Sequence, residues 1–307
     1  MKIAVIIPFY NESATIIQTL ESLKLQTRTP DRVLLIDSGS TDDTSIKINK
    51  WISDNNMEAY NIMYSGRMSP SSSINLGIDD SIEEIIAYVD CGLIIPHNWL
   101  STSEDIINKN NIDLVSTTIF TKGVNNIDKS FVAQTYGYMN NTICLPGSLI
   151  KRDVFNKVGT FLDNARANYD IDFINKLKGQ NLKRFVNKKI YLEYIDTNYA
   201  TSFKQASKKV YSYSLGAWNA TGDKKPIIYC SFLSIIVICA LLNLYKELSI
   251  IILLYIFSRS IIIPFVKSNF NITTLNPLNY FNFFMSGIVI DASRLFGYVI
   301  SIFTRTN

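Results

Sequence analysis

Residues 33–44 read Val-Leu-Leu-Ile-Asp-Ser-Gly-Ser-Thr-Asp-Asp-Thr, and this stretch decides the fold class. The apolar run Val33 to Ile36 stops at Asp37, Gly39 sits between two serines, and Thr41 to Thr44 supplies helix-opening residues. That is a buried strand ending in a polar loop that starts a helix. In an open α/β sheet, ligands bind at the carboxyl ends of the strands, so this loop is a candidate ligand floor. It has neither the glycine spacing of a dinucleotide fingerprint nor the Gly-Lys-Ser/Thr of a P-loop. A carboxylate at the strand tip suits hydrogen bonds to ribose hydroxyls or to a base. The plainer alternative is an ordinary strand–turn–helix with a good N-cap.

Outward from this stretch the pattern repeats. Lys2 to Tyr10 is a short apolar strand, too short and too strand-like for a signal peptide. Asn11-Glu12-Ser13 opens a helix running to about Gln26, with Ile16, Ile17, Leu20 and Leu23 on one face. A helix is predicted over Asp42 to Ser53, a strand over Ala59 to Tyr64, a small-residue loop carrying Arg67, a helix over Ser72 to Ser81, and a strand over Ile85 to Val89 that ends at Asp90. Strand and helix alternate four times, which predicts a parallel, doubly wound sheet.

In order along the chain, these pieces resemble a family 2 glycosyltransferase with the GT-A fold, a Rossmann-like nucleotide-diphospho-sugar transferase. Val5-Ile6-Ile7-Pro8-Phe9-Tyr10-Asn11-Glu12 resembles the family's opening strand, and Ile36 to Asp42 its nucleotide-binding loop. Asn75-Leu76-Gly77 matches an Asn-x-Gly before the fourth strand. Tyr88-Val89-Asp90, with Pro96 and Trp99-Leu100 after it, stands where the family has its Asp-x-Asp stretch. Gly147 to Phe155 and Val158 to Phe161 resemble the acceptor-side segment, and Asn168 to Phe173 the Glu-Asp-x-Asp-Leu stretch. The match spans roughly residues 3 to 195.

The resemblance implies a division of labour. Pro8, Tyr10, Asn11, Glu12, Asp37, Ser38, Gly39, Arg67, Asn75 and Asp90 would bind the UDP- or GDP-sugar, and Asp170 would be the catalytic base. The plainer reading of Asp170 is a helix-opening residue placed for the helix dipole. A divalent cation, Mg or Mn, would sit at Asp90. Gly92 stands where the second Asp is usual, so that ligand is absent. Either Asp90 suffices with phosphate oxygens and water, or a cation such as Arg67 neutralises the leaving diphosphate. Tyr169 replaces the usual Glu before Asp170, and Ile74 the Arg before Asn-x-Gly.

Composition sets the remaining bounds. The net charge is +4, which points to no strongly basic surface and no nucleic-acid partner. One histidine, His97, rules out a multi-histidine metal site. The four cysteines lack metal-ligand spacing and suit a reducing compartment. Cys91, beside Asp90, reads as a packing residue.

Residues 1–200 read as the catalytic domain and 201–225 as an amphipathic interfacial helix and linker. On that helix Lys204, Lys208 and Lys209 fall on the polar side, and Phe203, Val210, Tyr211 and Trp218 are available to the apolar side. Gln205, Lys208 and Lys209 resemble an exopolysaccharide-type signature, which implies that the helix lies on the membrane and closes the active site; the alternative is a soluble helix capping the domain. Residues 226–307 read as a membrane domain with hydrophobic segments at 226–245, 248–266 and 278–303, the third holding Asp291 and Arg294 at pairing distance. Lys224 and Lys225 before the first segment favour a multi-pass cytoplasmic-membrane protein whose catalytic domain faces the cytoplasm. The function implied is an inverting transferase moving a sugar to a glycan or polyprenyl-linked acceptor in cell-surface polysaccharide synthesis. The alternatives are a polyprenyl-phosphate sugar transferase, or a catalytically silent homologue acting as a membrane assembly partner.

Overall fold

The computed structural model describes residues 1–195, 200, 202–220, 223–267 and 279–304. The chain forms two compact units: Met1–Phe120 with Asn141–Ile195, and Thr121–Asn140 with Asp196–Asn307. Along the chain run β1 (Ile3–Phe9), α1 (Ile16–Lys24), β2 (Arg32–Asp37), α2 (Thr44–Asn55), β3 (Tyr60–Tyr64), α3 (Pro70–Asp80), β4 (Ile85–Tyr88), β5 (Leu93–Ile94), α4 (Trp99–Asn110) and β6 (Leu114–Thr121). Then come α5 (Asn126–Gln134), β7 (Met139–Asn140), β8 (Ser148–Lys151), α6 (Arg152–Val158), α7 (Tyr169–Lys178), β9 (Arg184–Tyr194), α8 (Phe203–Ser214), α9 (Lys225–Leu241), α10 (Tyr245–Phe257), α11 (Ile263–Lys267) and α12 (Tyr280–Thr304).

In the first unit the strand order is β3-β2-β1-β4-β8-β6-β9-β5. The first four strands pair in parallel, as the alternation predicts. Beyond β4 the sheet turns antiparallel, at β4–β8, β6–β8 and β5–β9. The sheet is therefore mixed rather than wholly parallel. Alternating elements in residues 1–90 carry no information on the direction of strands that arrive sixty residues later. Residues 3–7 show why both faces are covered. Ile3, Val5 and Ile7 enter one buried cluster with Ile16, Leu20, Trp99 and Leu100, while Ala4 and Ile6 enter another with Ile74, Ile78 and Phe173. Burying each such aliphatic side chain is worth about 1.5–3 kcal/mol, so an unbroken apolar run is stable only as a strand covered on both faces. The register Phe9–Asp37–Tyr64 sets the tips of β1, β2 and β3 side by side.

The second unit is helical, and it includes α5, which the sequence reading placed within residues 1–200. Phe131 of α5, Ala206 and Val210 of α8 and Ile290 of α12 share one buried cluster. Tyr211 packs its ring on Phe296, and Trp218 donates its indole N–H to the Tyr298 carbonyl at 3.0 Å. Among the described residues, then, much of the apolar side of α8 rests on protein. Lys204 and Lys208 are exposed as predicted, but Lys209 is half-buried. Burial lowers its pKa, and the Asp128 carboxylate opposes the shift.

Among the described residues, two helices are long and apolar enough to cross a membrane, the continuous 23-residue segment Tyr245–Lys267 and Tyr280–Phe303. The segment predicted at 226–245 falls short. Its helix α9 has 17 residues, about 26 Å against a hydrocarbon core of about 30 Å, because Asn243 turns left-handed (φ 55°) and ends it. The predicted Asp291–Arg294 pair is also corrected. Asp291 accepts from Arg259 Nε at 2.6 Å, and Arg294 Nη1 donates to the Tyr229 hydroxyl at 3.2 Å.

Candidate active site

Asp37 ends β2 almost fully buried. Its Oδ1 accepts from the Ser40 amide at 2.7 Å and its Oδ2 from the Ser45 hydroxyl at 2.5 Å. Its carbonyl accepts from the Ser65 amide and hydroxyl at 3.2 and 2.8 Å. The carboxylate thus shapes its own loop and ties it to the tip of β3. Gly39 completes the join. It has φ +85°, and a Cβ there would lie 3.0 Å from the backbone of Gly66 and Arg67, so only glycine suits it. Ser38 is buried, its hydroxyl 2.7 Å from that of Ser73.

The loop after β1 docks on the same floor. Asn11, left-handed at φ 55°, accepts from the Thr41 amide at 2.8 Å and donates its own amide hydrogen to Ser40 Oγ at 3.1 Å. Glu12 donates its amide hydrogen to Thr44 Oγ1 at 2.9 Å and accepts from the Thr15 hydroxyl at 2.7 Å. Burial raises the Glu12 pKa, the Thr15 bond opposes it, and the charges of Asp90 and Asp42 add to it. Tyr10 is exposed and carries the Arg67 guanidinium 3.8 Å above its ring. The exposed groups of this floor are therefore Tyr10, Asn11, Thr41 and Arg67 rather than Asp37. Pro8, within β1, offers its carbonyl, 3.7 Å from Cys91 Sγ.

Asp90 follows β4. Its Oδ1 accepts from the Tyr88 hydroxyl and its Oδ2 from the Tyr194 hydroxyl at 2.5 Å. Burial raises its pKa, the two tyrosine bonds oppose the rise, and the nearby Asp170 charge adds to it. The Tyr88 hydroxyl is pushed well above its ordinary value, chiefly by burial, so it stays protonated and donates. Cys91 is likewise pushed well up by burial, which suits packing rather than nucleophilic chemistry.

Asn75 serves the structure in a way the motif did not foretell. Its side chain donates to the Phe161 carbonyl and to Asp163 Oδ1, both at 2.9 Å, and accepts from the Phe161 amide at 3.0 Å. Gly77 lets α3 approach β1, since a Cβ there would lie 2.8 Å from Ile6 Cγ2. Ser71 Oγ donates to the Ala165 carbonyl and accepts from its amide, both at 2.9 Å. Asn-x-Gly and the serines at the start of α3 thus hold the 161–165 loop that leads into α7. Asp170 lies in the first turn of α7, after Asn168 in the left-handed region, where the helix dipole favours a negative charge. Gln205, Lys208 and Lys209 lie on α8 in the second unit.

Sequence reasoning missed both tyrosines. Tyr88 stands two residues before Asp90, the spacing that puts two side chains on the same side of an extended chain. Tyr194 lies 104 residues from its partner, and no local pattern announces it.

The carboxylates here do not amount to a preformed divalent-cation site. Among the described residues, no three His, Cys, Asp or Glu side chains gather to hold a metal. Both Asp90 oxygens already accept from tyrosine hydroxyls, and Gly92, at φ +82°, adds no side chain.

Residues 4–168, more than half of the chain, match the sequence model of glycosyl transferase family 2. The chain belongs to that family. An uncharacterized glycosyltransferase of Rickettsia bellii is 34% identical over 110 residues, 36% of this chain and 16% of that protein. One from Rickettsia felis is 36% identical over 89 residues, 29% of this chain and 14% of that protein. The matches therefore span only a small part of these relatives. Among solved structures, this family 2 chain is similar to the Pyrobaculum calidifontis mannosyltransferase PcManGT, in complex with GDP-Man and Mn2+ (TM-score 0.58, 14% identity, covering all of this chain and 88% of that one). It is also similar to S. aureus TarS 1-349 in complex with UDP (TM-score 0.50, 16% identity, covering 96% and 90%). These likenesses show a mixed α/β GT-A fold.

Proposed function

We propose that the chain transfers a sugar, with inversion, from a UDP- or GDP-sugar to a hydroxyl of a glycan or polyprenyl-linked acceptor in cell-surface polysaccharide synthesis. The observation that carries this reading is the clamped carboxylate of Asp90 at the end of β4, with the Asp170 carboxylate within electrostatic reach. Asp90 is anchored by Tyr88 and Tyr194, and Asp170 is near enough for its charge to raise the Asp90 pKa. Two carboxylates in different settings, one half-buried and clamped and one in the first turn of a helix, suit different tasks.

In the transfer step the acceptor oxygen attacks the anomeric carbon. Its bond to that carbon forms as the carbon–phosphate-oxygen bond breaks, the nucleoside diphosphate leaves, and the acceptor proton passes to Asp170. Asn11, Thr41 and the Asp37 loop form the floor for the nucleoside. Arg67, held over Tyr10, supplies positive charge toward the leaving diphosphate. In the PcManGT structure a Mn2+ accompanies the donor; here the transfer step is assigned to side chains alone.

Two apolar helices long enough to span support membrane anchoring. Lys224 and Lys225, at the start of α9, favour a cytoplasmic catalytic unit.

The test uses the full chain in detergent with a panel of UDP- and GDP-sugars, measuring donor binding by calorimetry and transfer by product formation. Asp170→Asn should keep donor affinity within about twofold while transfer falls about 10²–10⁴-fold. Undiminished transfer in Asp170→Asn would remove the base from Asp170. Failure of the native chain to bind any nucleotide-sugar would favour a silent assembly partner.

A further inference from the structure

We infer that α12 lies along the membrane surface on its apolar outer face instead of crossing the bilayer, and that the α9–α10 hairpin alone enters the lipid. The inference rests on the membrane reading above but not on the chemistry assigned to Asp170.

The helices of this unit expose their apolar residues in two different ways. α10 has no buried residue, and α9 buries Pro226 and Cys239 alone. The two run side by side: the Phe232 and Tyr255 rings stack with centroids 6.3 Å apart, and Arg259 Nη2 donates to the Tyr229 hydroxyl at 3.3 Å. Apart from Arg259, which is bonded to Asp291, the charged residues of this hairpin, Lys225, Lys246, Glu247 and Lys267, stand at its two ends. A hairpin apolar all round suits lipid on every side. α12 is one-sided instead. Phe283, Ser286, Ile290 and Ser293 are buried at helical spacing. Phe281, Ile288, Leu295 and Ile302 recur at every seventh residue on the opposite side, and Phe281 and Ile302 are exposed.

What covers the buried side of α12 decides its orientation. α5 and α8 lie along it. Gln134 Nε2 donates to the Phe283 carbonyl at 2.9 Å, Phe131 shares a cluster with Ile290, and Ser293 Oγ donates to Ser207 Oγ at 2.8 Å. Trp218, just past α8, reaches the Tyr298 carbonyl. From Phe283 to Tyr298 is about 22 Å of helix, most of a hydrocarbon core of about 30 Å. Were α12 to cross, α5 and α8 would go with it and carry the exposed Lys129, Lys204 and Lys208 into hydrocarbon, where a charged side chain is costly. With α12 in the surface, those lysines stay in water and the Phe281–Ile302 side meets lipid. The hairpin meets α12 where Tyr229 and Arg259 bond Asp291. Beyond Tyr229, α9 runs on for about 18 Å to Leu241, with Phe232, Ile235 and Leu241 exposed. A seven-residue stripe also suits a second copy of the chain, but a dimer seam would leave the hairpin beside it uncovered, whereas lipid covers both.

The experiment places the full chain, tagged at both termini, in phosphatidylcholine vesicles. Where external protease removes the N-terminal tag, it should remove the C-terminal tag as well. In a second arm, an environment-sensitive fluorescent amino acid stands singly at Phe281, Leu295 or Ile302, or at Leu253 on α10, and is quenched by lipids brominated at a shallow or a deep acyl position. The three α12 positions should be quenched more by the shallow bromine, and Leu253 more by the deep one. Thermal unfolding of each labelled chain is compared with that of the native chain, and the tag arm, with native side chains throughout, stands if a labelled chain fails to fold. A C-terminal tag protected while the N-terminal tag is lost overturns the inference. So does deep quenching at Leu295 equal to that at Leu253. Quenching at Leu253 with none at the α12 positions assigns the stripe to a second copy and overturns it too. No association with the vesicles defeats the membrane reading and this inference with it, while sugar transfer in detergent, which tests Asp170, is unaffected by either result.

Discussion

Tyr194, the last residue of β9, donates its hydroxyl hydrogen to Asp90 Oδ2 at 2.5 Å. The antiparallel pairing of Leu93 with Tyr194 brings the end of β9 to the segment that follows Asp90. Removing the hydroxyl in Tyr194→Phe leaves a largely buried carboxylate oxygen short of a donor, at a cost of about 1–3 kcal/mol. Thermal unfolding should fall accordingly, and donor affinity should weaken with it. An unchanged melting temperature would mean that solvent replaces Tyr194 at no cost.

The pH dependence of stability should carry the mark of Asp90. Its folded pKa lies above the ordinary value of 3.8, chiefly through burial, so the folded state holds that proton more tightly than the unfolded chain. The contribution is fully present below the ordinary value and is lost as pH rises through the raised one. Asp90→Asn removes the ionisation. The variant should therefore unfold at a higher temperature than the native chain near neutral pH, with the difference shrinking toward pH 4, while transfer is lost. A gain that instead grows on acidification would refute this sign.

Asn75 and Arg67 should separate into a structural and a binding residue. Asn75→Ala breaks three hydrogen bonds to the 161–163 loop and should cost about 2 kcal/mol of stability. Arg67→Ala, at an exposed cation, should leave unfolding within about 0.5 kcal/mol. It should weaken nucleoside diphosphate binding about tenfold, with or without a chelator, by loss of a charge partner for the diphosphate. The reverse pattern, with Asn75 lowering affinity at full stability, would place Asn75 against the donor.

Gly39→Ala should disable the floor. The added methyl meets backbone at 3.0 Å in a left-handed conformation, which costs about 1–3 kcal/mol. The loops of Asp37 and Arg67 must then part, so nucleotide binding should fall more than stability does. Equal nucleotide affinity in Gly39→Ala, measured by calorimetry, would show that the two loops need not touch.

In the helical unit, Asp291→Ala strands the buried Arg259 guanidinium and should cost about 3–5 kcal/mol. Replacing both partners, Asp291→Leu with Arg259→Met, should recover most of that loss in thermal unfolding. A double variant as unstable as Asp291→Ala would show that the pair holds more than itself.

The sequence alone determined what depends on near neighbours. The apolar runs, their abrupt ends at Asp37 and Asp90, the caps that follow and the helical periodicity all lie within a few residues of one another. They gave the first four strands, their parallel pairing and the loops at their tips. The ordered motifs gave the family. Tertiary structure decided what depends on contacts across long separations, because no local period encodes them. It made the second half of the sheet antiparallel, set Tyr194 on Asp90, and bonded Asn75 to the loop before Asp170. It gathered α5 with the C-terminal helices, ended α9 at Asn243, and gave Asp291 to Arg259 rather than to Arg294. A buried charge takes whichever partner the packing brings within reach, and sequence spacing offers only the partners on its own helix.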